Sequence, residues 1–316
     1  MLFIDKRPLV SILTPSYNSA AFIEETIQSV KSQDYPNIEH IVVDGGSADG
    51  TVEILEGYPN VKWLSEPDNG QSDALNKAFA LSQGDIIGWL NADDLYEPGA
   101  VAAVIEYFVQ HPDTYVVHGN CTVFKSDGIV DKYYQGPCDK EKLSEPWRGF
   151  HGAYQPSVFY RREAIERIGG WAVDLHYVMD YDLLLRLAEF YPVEYIDVDL
   201  SRFRLHPDQK GALAWHRFVR EFMLSVERFW CERNIIRYWR YRFLVRHFYA
   251  LSLLEQITRG TAGNAAQERV YLKQAVAIAP VVLKYAWVQR RCVREILGPA
   301  LTNLYHKCSS TYRSGR

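Results

Sequence analysis

Leu9-Val10-Ser11-Ile12-Leu13 is a short apolar run, and Thr14-Pro15-Ser16-Tyr17-Asn18 ends it in a polar turn. The run reads as a buried strand. Behind it, Ile23, Ile27 and Val30 recur at helical spacing, with Asn18 or Ser19 placed to cap the helix. The unit then repeats. Ile38–Val43 is a second strand, closed by Asp44-Gly45-Gly46-Ser47, and Thr51–Leu55 is a short helix. Val61–Leu64 is a third strand and Ser72–Ser82 a helix. Asp85–Leu90 is a fourth strand running into Asn91-Ala92-Asp93-Asp94, and Pro98 opens a helix that lasts through Phe108. Strands alternating with helices predict a Rossmann-like α/β domain, a largely parallel sheet with helices on both faces.

From Tyr115 to Tyr160 the pattern is strand-like and irregular, with Gly136-Pro137 inside it. A helix at Glu163–Ile168, a Gly169-Gly170-Trp171 turn and a helix at Tyr181–Phe190 follow. After Gly211 the sequence reads as all helix, rich in Arg and aromatics. Charge changes at the same place. Residues 1–200 hold 14 Lys and Arg against 32 Asp and Glu, whereas residues 201–316 hold 21 against 7. The boundary is therefore expected at 205–215, giving an α/β domain over 1–210 and a basic helical region over 211–316.

Composition excludes several classes. A hydrophobic fraction of 47% and a charged fraction of 23% suit a globular protein and exclude a disordered or collagen-like chain. No uninterrupted apolar run reaches the ~18 residues of a spanning helix. Asp5, Lys6 and Arg7 come too early for a signal peptide, and five scattered cysteines without a Cys-x-x-Cys read as reduced thiols. These readings predict a cytoplasmic protein.

Ligands of open parallel sheets bind beyond the carboxyl ends of the strands. Three polar turns lie there: Thr14–Asn18, Asp44–Ser47 and Asn91–Asp94. Carboxylates with Gly-rich turns suit a phosphate-bearing ligand and a hard divalent cation, which takes oxygen ligands. There is no Gly-x-Gly-x-x-Gly, P-loop, serine elbow or His-Glu-x-x-His.

Five segments together carry a resemblance: Val10–Asn18; Val43–Thr51; Asp68-Asn69-Gly70-Gln71-Ser72-Asp73-Ala74-Leu75-Asn76-Lys77; Gly84–Asp94; and Met179-Asp180-Tyr181-Asp182-Leu183 with Arg186-Leu187. In this order and spacing the chain resembles the family 2 glycosyltransferases of GT-A fold. The resemblance implies inverting transfer of a sugar from a nucleotide-diphosphate donor, expected to be UDP-linked. The implied acceptor is a glycan or a lipid-linked glycan, in cell-surface polysaccharide or glycolipid synthesis. It further implies that Pro15, Tyr17 and Asp44 line the base pocket and that Asp73 lies near the nucleotide. Asn91-Ala92-Asp93 takes the Asp-x-Asp place, with Asn91 at the nucleotide diphosphate. Asp93, with Asp94 and His206, is then the expected holder of Mn2+ or Mg2+. Lys210 falls near the diphosphate, and Asp180 is the implied catalytic base.

The chain departs from that pattern twice. Asn91 replaces the first Asp, and Met179 replaces the common Glu before the base. The second change removes a like charge and should lower the proton affinity of Asp180. Simpler readings stand beside these roles. Asp180 can be a helix cap, Asp93 and Asp94 turn residues, Asp49 a cap for the helix at Thr51, and His206 an ordinary loop residue. Asp182 and Arg186 form a structural i,i+4 pair. Gln155-Pro156-Ser157 is a turn, or by family position an acceptor contact.

The region after 211 mixes Arg with aromatics. Arg233, Arg237 and Arg240 share one helical stripe, and Trp239 and Phe243 lie one turn apart, as on interfacial helices. Arg242 and Arg246 fall on the other side. An anionic membrane surface is the expected partner, against the alternative of packing or solvent contact. No nucleic-acid motif accompanies the charge. The rivals to transfer are a nucleotidyltransferase, which would need a basic loop after the first strand, and a non-catalytic scaffold of the same fold.

Overall fold

The structure is a computed structural model that describes residues 7–125, 128–133, 136, 138, 140–145, 153–206, 215–233, 235–258, 264–284 and 288. The chain divides into two compact units, Met1–Ala214 and Trp215–Arg316.

The first unit begins β1 (Val10–Ser16), α1 (Ile23–Lys31), β2 (Ile38–Asp44), α2 (Thr51–Glu56), β3 (Lys62–Ser65), α3 (Gln71–Leu81) and β4 (Ile86–Trp89). It continues through β5 (Leu95–Tyr96), α4 (Ala100–Gln110), β6 (Val116–Lys125), β7 (Gly128–Tyr133) and α5 (Lys140–Ser144). After a 3-10 turn at Gln155–Ser157 come β8 (Val158–Arg161), α6 (Arg162–Ile168), α7 (Met179–Leu187) and β9 (Val193–Arg204). Nine strands form one sheet in the order β3-β2-β1-β4-β8-β6-β9-β5, with β7 beside β6. The four strands read from the first 90 residues are parallel to one another, as expected of βαβ units. The remainder is mixed. β8 runs antiparallel to both β4 and β6, while β6 and β9 are parallel with register shifts at Asn120. The irregular pattern from Tyr115 reflects this change of pairing.

Helices α1, α2 and α4 cover one face of the sheet, and α3, with Ala74, Leu75 and Ala78 buried, packs against β1 and β2 on the other. Val10, Ile12 and Ile86 pack with Val101, Val104 and Phe108 of α4. Val42 packs with Ile23 and Ile27 of α1 and Leu55 of α2. Each such side chain contributes about 1.5–3 kcal/mol by leaving water. Neither Asn18 nor Ser19 caps α1 with its side chain; Phe22 holds the N-cap position. Asn18 instead takes φ +49° and accepts from the Ala48 N–H, tying the β1 turn to the β2 turn. Asp49 accepts from the Thr51 N–H and hydroxyl and from the Ala20 N–H, a structural role.

One buried polar pair inside this sheet has a pH consequence. His40 on β2 lies 2.9 Å from the Thr14 hydroxyl, and burial lowers its pKa from 6.5 to about 4. The native state thus resists a proton that the unfolded chain accepts. Stability is full above pH 6.5 and falls as the pH drops towards 4, at about 1.4 kcal/mol per unit. His40→Gln keeps a partner for Thr14 and removes the titration. Denaturant titrations at pH 7 and 4.5 should show the acid-induced loss shrinking by about 2–3 kcal/mol in the variant. An unchanged loss would place the proton elsewhere.

The second unit contains α8 (Trp215–Arg233), α9 (Ile235–Thr258), α10 (Ala265–Ile278) and a 3-10 turn at Pro280–Lys284. Val219, Phe222, Val226, Phe229 and Trp230 of α8 are buried, as are Tyr241, Val245, Tyr249, Leu253 and Leu254 of α9. Arg246 pairs with Glu227 at 2.6 Å and Arg242 approaches it at 3.9 Å, so these two arginines face the bundle. The side chains of Arg237 and Arg240 lie outside the described residues. No helix among the described residues is long and apolar enough to cross a membrane.

Candidate active site

β1 is hydrogen-bonded to β2 through Ser16–Asp44, but its ladder with β4 ends at Leu13–Trp89. The last three residues of β1 thus have no partner on the β4 side. Here the connections turn from β3 on one side of β1 to β4 on the other, the switch point at which α/β sheets form a ligand crevice. Pro15, which cannot donate to a ladder, sits on that stretch. Tyr17 at its mouth is 66% exposed, free to lie against a planar ligand.

The Asp93 turn follows β4. Thr26 of α1 places its hydroxyl 2.9 Å from both the Ala92 and Asp94 carbonyl oxygens. The Arg204 guanidinium, at the end of β9, donates to the Asp93 carbonyl at 2.9 Å and pairs with Glu25 at 2.7 Å. It also lies over the rings of Phe22 and Phe124. Two residues further, His206 presents Nε2 to Asp93 Oδ2 at 3.0 Å, its ring packed on Phe22 at 4.8 Å. Residues 113 apart in sequence thus converge at the crevice. Arg204 and Phe22 were not foreseen as supports; the only signal is that Arg204, the last residue of β9, and His206 are two apart in sequence.

Three neighbours expected at the ligand are occupied by the protein itself. Asp94 is wholly buried and accepts from the Arg204 N–H at 2.9 Å, with Asn91 Nδ2 at 3.3 Å. Burial, then the Asp93 charge, raises its pKa well above the ordinary value. Asp94 therefore holds β9 to the turn and is not placed to share a metal with Asp93. Asn91 spends all four hydrogen-bonding capacities on Gln71, Trp89, Gln155 and Asp94, and so does not fit the expected place at the diphosphate. Asp44 is also wholly buried, bonded to the Gly46 and Ser47 N–H groups and the Ser47 and Ser65 hydroxyls. It shapes the Gly45-Gly46-Ser47 turn and offers no open oxygen to a base.

The accessible acid at that turn is Asp68, which was not singled out. A Cβ on Gly45 would stand 2.8 Å from Asp68 Oδ2, so glycine lets this carboxylate lie against the turn without shifting. Asp68 accepts the Gly70 N–H at 2.8 Å. Asp73 turns Oδ2 back onto the Asn69 N–H at 3.0 Å and Lys77 at 3.6 Å, and this bond to Asn69 lowers its pKa. Through this oxygen Asp73 anchors the loop at the start of α3. Gln155 donates to the Trp89 carbonyl and accepts from Asn91, which fits a buried tie and not the acceptor contact.

The start of α3 also meets the segment before α7. The Ser72 hydroxyl donates to the Leu175 carbonyl at 3.3 Å, and a Cβ on Gly70 would lie 3.1 Å from the His176 ring. Asn76 clasps Trp171 through both backbone groups, at 2.9 and 3.0 Å. Arg186 bonds Asp182 at 2.7 Å and the carbonyls of Ile168 and Gly170, the structural pair expected. Asp180 follows this pinned segment, inside the first turn of α7. Val178 is the N-cap and no side chain caps the helix, so the simpler capping role does not apply. Burial raises the Asp180 pKa, with Asp182 adding to the rise. Desolvation thus holds the Asp180 pKa above the ordinary value even though Met179 stands in place of a neighbouring carboxylate. Lys210 lies outside the described residues.

The described residues gather no cluster of three or more His, Cys, Asp and Glu fit for a metal. The donor set at Asp93 is one carboxylate and one imidazole. That suits a divalent ion that takes its other ligands from water and from substrate phosphates.

This architecture is the GT-A fold. S. aureus TarS 1–349 in complex with UDP-GlcNAc superposes with a TM-score of 0.64 at 15% identity, over 98% of this chain and 92% of that one. The mannosyltransferase PcManGT of Pyrobaculum calidifontis, in complex with GDP-Man and Mn2+, gives 0.54 at 21% identity, over 96% and 89%. Residues 11–169, just over half of the chain, match Glycosyl transferase family 2, and the chain belongs to that family. Chondroitin synthase of Escherichia coli is 29% identical over 200 residues, 61% of this chain. The match spans 28% of that synthase.

Proposed function

We propose that the protein transfers a sugar from a nucleotide-diphosphate donor to a glycan or lipid-linked acceptor, with inversion, in the synthesis of a surface polysaccharide or glycolipid. The observation that carries this reading is the convergence of Asp93 and His206 at the switch point of a family 2 fold. UDP is the proposed nucleotide, as in the TarS complexes, with Tyr17 and Asp68 as the accessible groups around its base and ribose. Asp93 and His206 would hold Mn2+ or Mg2+. When bound, such an ion acts as a Lewis acid on the diphosphate as it leaves.

Asp180 accepts the proton of the attacking acceptor hydroxyl. Burial raises its pKa, which strengthens it as a base. A single base with no protein nucleophile means one displacement, hence inversion at the anomeric carbon. The deciding experiment is a thermal-shift screen of UDP- and GDP-sugars with manganese, followed by donor-hydrolysis and transfer assays. Donor binding without turnover would favour a scaffold. Release of pyrophosphate from a nucleoside triphosphate would favour a nucleotidyltransferase.

The second unit supports a membrane-facing acceptor. Ile235, Ile236, Trp239 and Phe243 of α9 project on one side and are more than half exposed. Arg217, Arg220 and Arg228 of α8 are exposed. Basic residues near an anionic surface contribute about 1 kcal/mol each, screened by salt. Co-sedimentation should be several-fold greater with anionic than neutral vesicles and should fall in salt or in Trp239→Ser/Phe243→Ser. Equal, salt-independent recovery would refute the contact.

A further inference from the structure

The side chain of Asn91 is engaged on every side. Oδ1 accepts from Gln71 Nε2 at 2.7 Å and from Trp89 Nε1 at 2.8 Å. Nδ2 donates to Gln155 Oε1 at 2.8 Å and faces Asp94 Oδ2 at 3.3 Å. The amide orientation is fixed by chemistry. An indole N–H can only donate, so the atom facing Trp89 must be the oxygen. The nitrogen then faces Gln155 and Asp94. Gln155 in turn must present its oxygen to Asn91, because its own nitrogen donates to the Trp89 carbonyl.

The four partners come from four places. Trp89 ends β4, Asp94 closes the Asp93 turn, Gln71 opens α3 and Gln155 opens the turn before β8. The turn itself is closed by the Asp94 N–H on the Asn91 carbonyl at 3.1 Å. Asn91 thus joins the segment carrying Asp68 to the turn carrying Asp93. An aspartate here would lose both donated bonds. It would set an oxygen against Gln155 Oε1 and a second carboxylate against buried Asp94. Leaving buried polar groups opposed in this way costs more than the bonds were worth.

We propose that Asn91 is a positioning residue, locking α3, β4 and the β8 turn around Asp93, and that the chain therefore presents one carboxylate, Asp93, where the family pattern offers two. This rests on the proposed transfer reaction, but its structural half is testable without it. The variants are Asn91→Asp, Asn91→Ala, Gln71→Met and the Asn91→Ala/Gln71→Met double. Three readouts apply: Mn2+ affinity of the protein alone, the thermal midpoint, and kcat with donor KM.

Asn91→Asp should bind Mn2+ no more tightly than the native protein, unfold at a lower temperature and lose about tenfold or more in kcat, with donor KM within about threefold. Gln71→Met is half-buried and touches no ligand in this reading, so it should fold and show the same split of kcat from KM. The double variant should match Asn91→Ala within about threefold, because the two residues act through one network. Tighter Mn2+ binding by Asn91→Asp, with transfer undiminished, would overturn the proposal and make position 91 a ligand. Multiplicative losses in the double variant would also overturn it. If the native protein transfers no sugar, the reaction assigned above fails. Mn2+ affinity and the thermal midpoint of Asn91→Asp still decide the role of Asn91.

Discussion

Asp180→Asn is expected to leave a folded protein that binds donor and metal normally and transfers sugar roughly 10²–10⁴ times more slowly, the usual worth of a positioned general base. Asn keeps the shape and one acceptor oxygen but cannot take a proton. Helix capping does not account for Asp180, because Val178 holds the N-cap. Asp182→Asn should cost less, since Asp182 pairs with Arg186 at 2.7 Å in a structural role. A pH profile gives a second check. As the proposed base, Asp180 would act only when ionised, and burial raises its pKa. Activity should therefore fall, as the pH is lowered, through a value above the ordinary ~3.9 of Asp. Near-native turnover in Asp180→Asn, or an acid limb unchanged between the native protein and a slow Asp180→Asn, would remove Asp180 as the base.

Asp93→Ala is expected to abolish transfer and manganese-dependent donor binding together. Asp94 does not replace it, being buried and committed to Arg204 and Asn91. His206 keeps its place through Phe22, so the variant should fold and lose only the acid. His206→Ala should weaken manganese binding with a smaller loss, since carboxylates and waters suit such ions better than imidazole does. Asp94→Asn, by contrast, should lower stability first. Isothermal titration with manganese, with and without UDP, reads the first two, and the thermal midpoint reads the third. Asp93→Ala with near-native turnover in manganese would show that the carboxylate holds no metal.

The fold's first half was legible because its signals are local. Apolar runs of strand length, helical recurrence at Ile23, Ile27 and Val30, and polar turns at three strand ends each lie within about ten residues. The family was legible for the same reason, in five ordered segments, and the match over 11–169 bears it out. The mixed second half was not. β8 pairs between β4 and β6, and β9 carries register shifts, through contacts that no local period encodes.

At the site the sequence by itself determined which residues stand at the carboxyl ends of β1, β2 and β4. It did not determine where their side chains turn. Asp93 and Asp94 are adjacent and chemically alike, yet one faces His206 and the other is sealed beneath Arg204. Asp44 is closed by its own turn, and Asp68 reaches Gly45 from another segment. Asn91 is held by Gln71 and Gln155, 20 and 64 residues away. A polar side chain in a turn goes to whichever partners spare it an unpaired burial. Those partners are assembled only when distant segments pack, so the choice between ligand and support belonged to the tertiary structure.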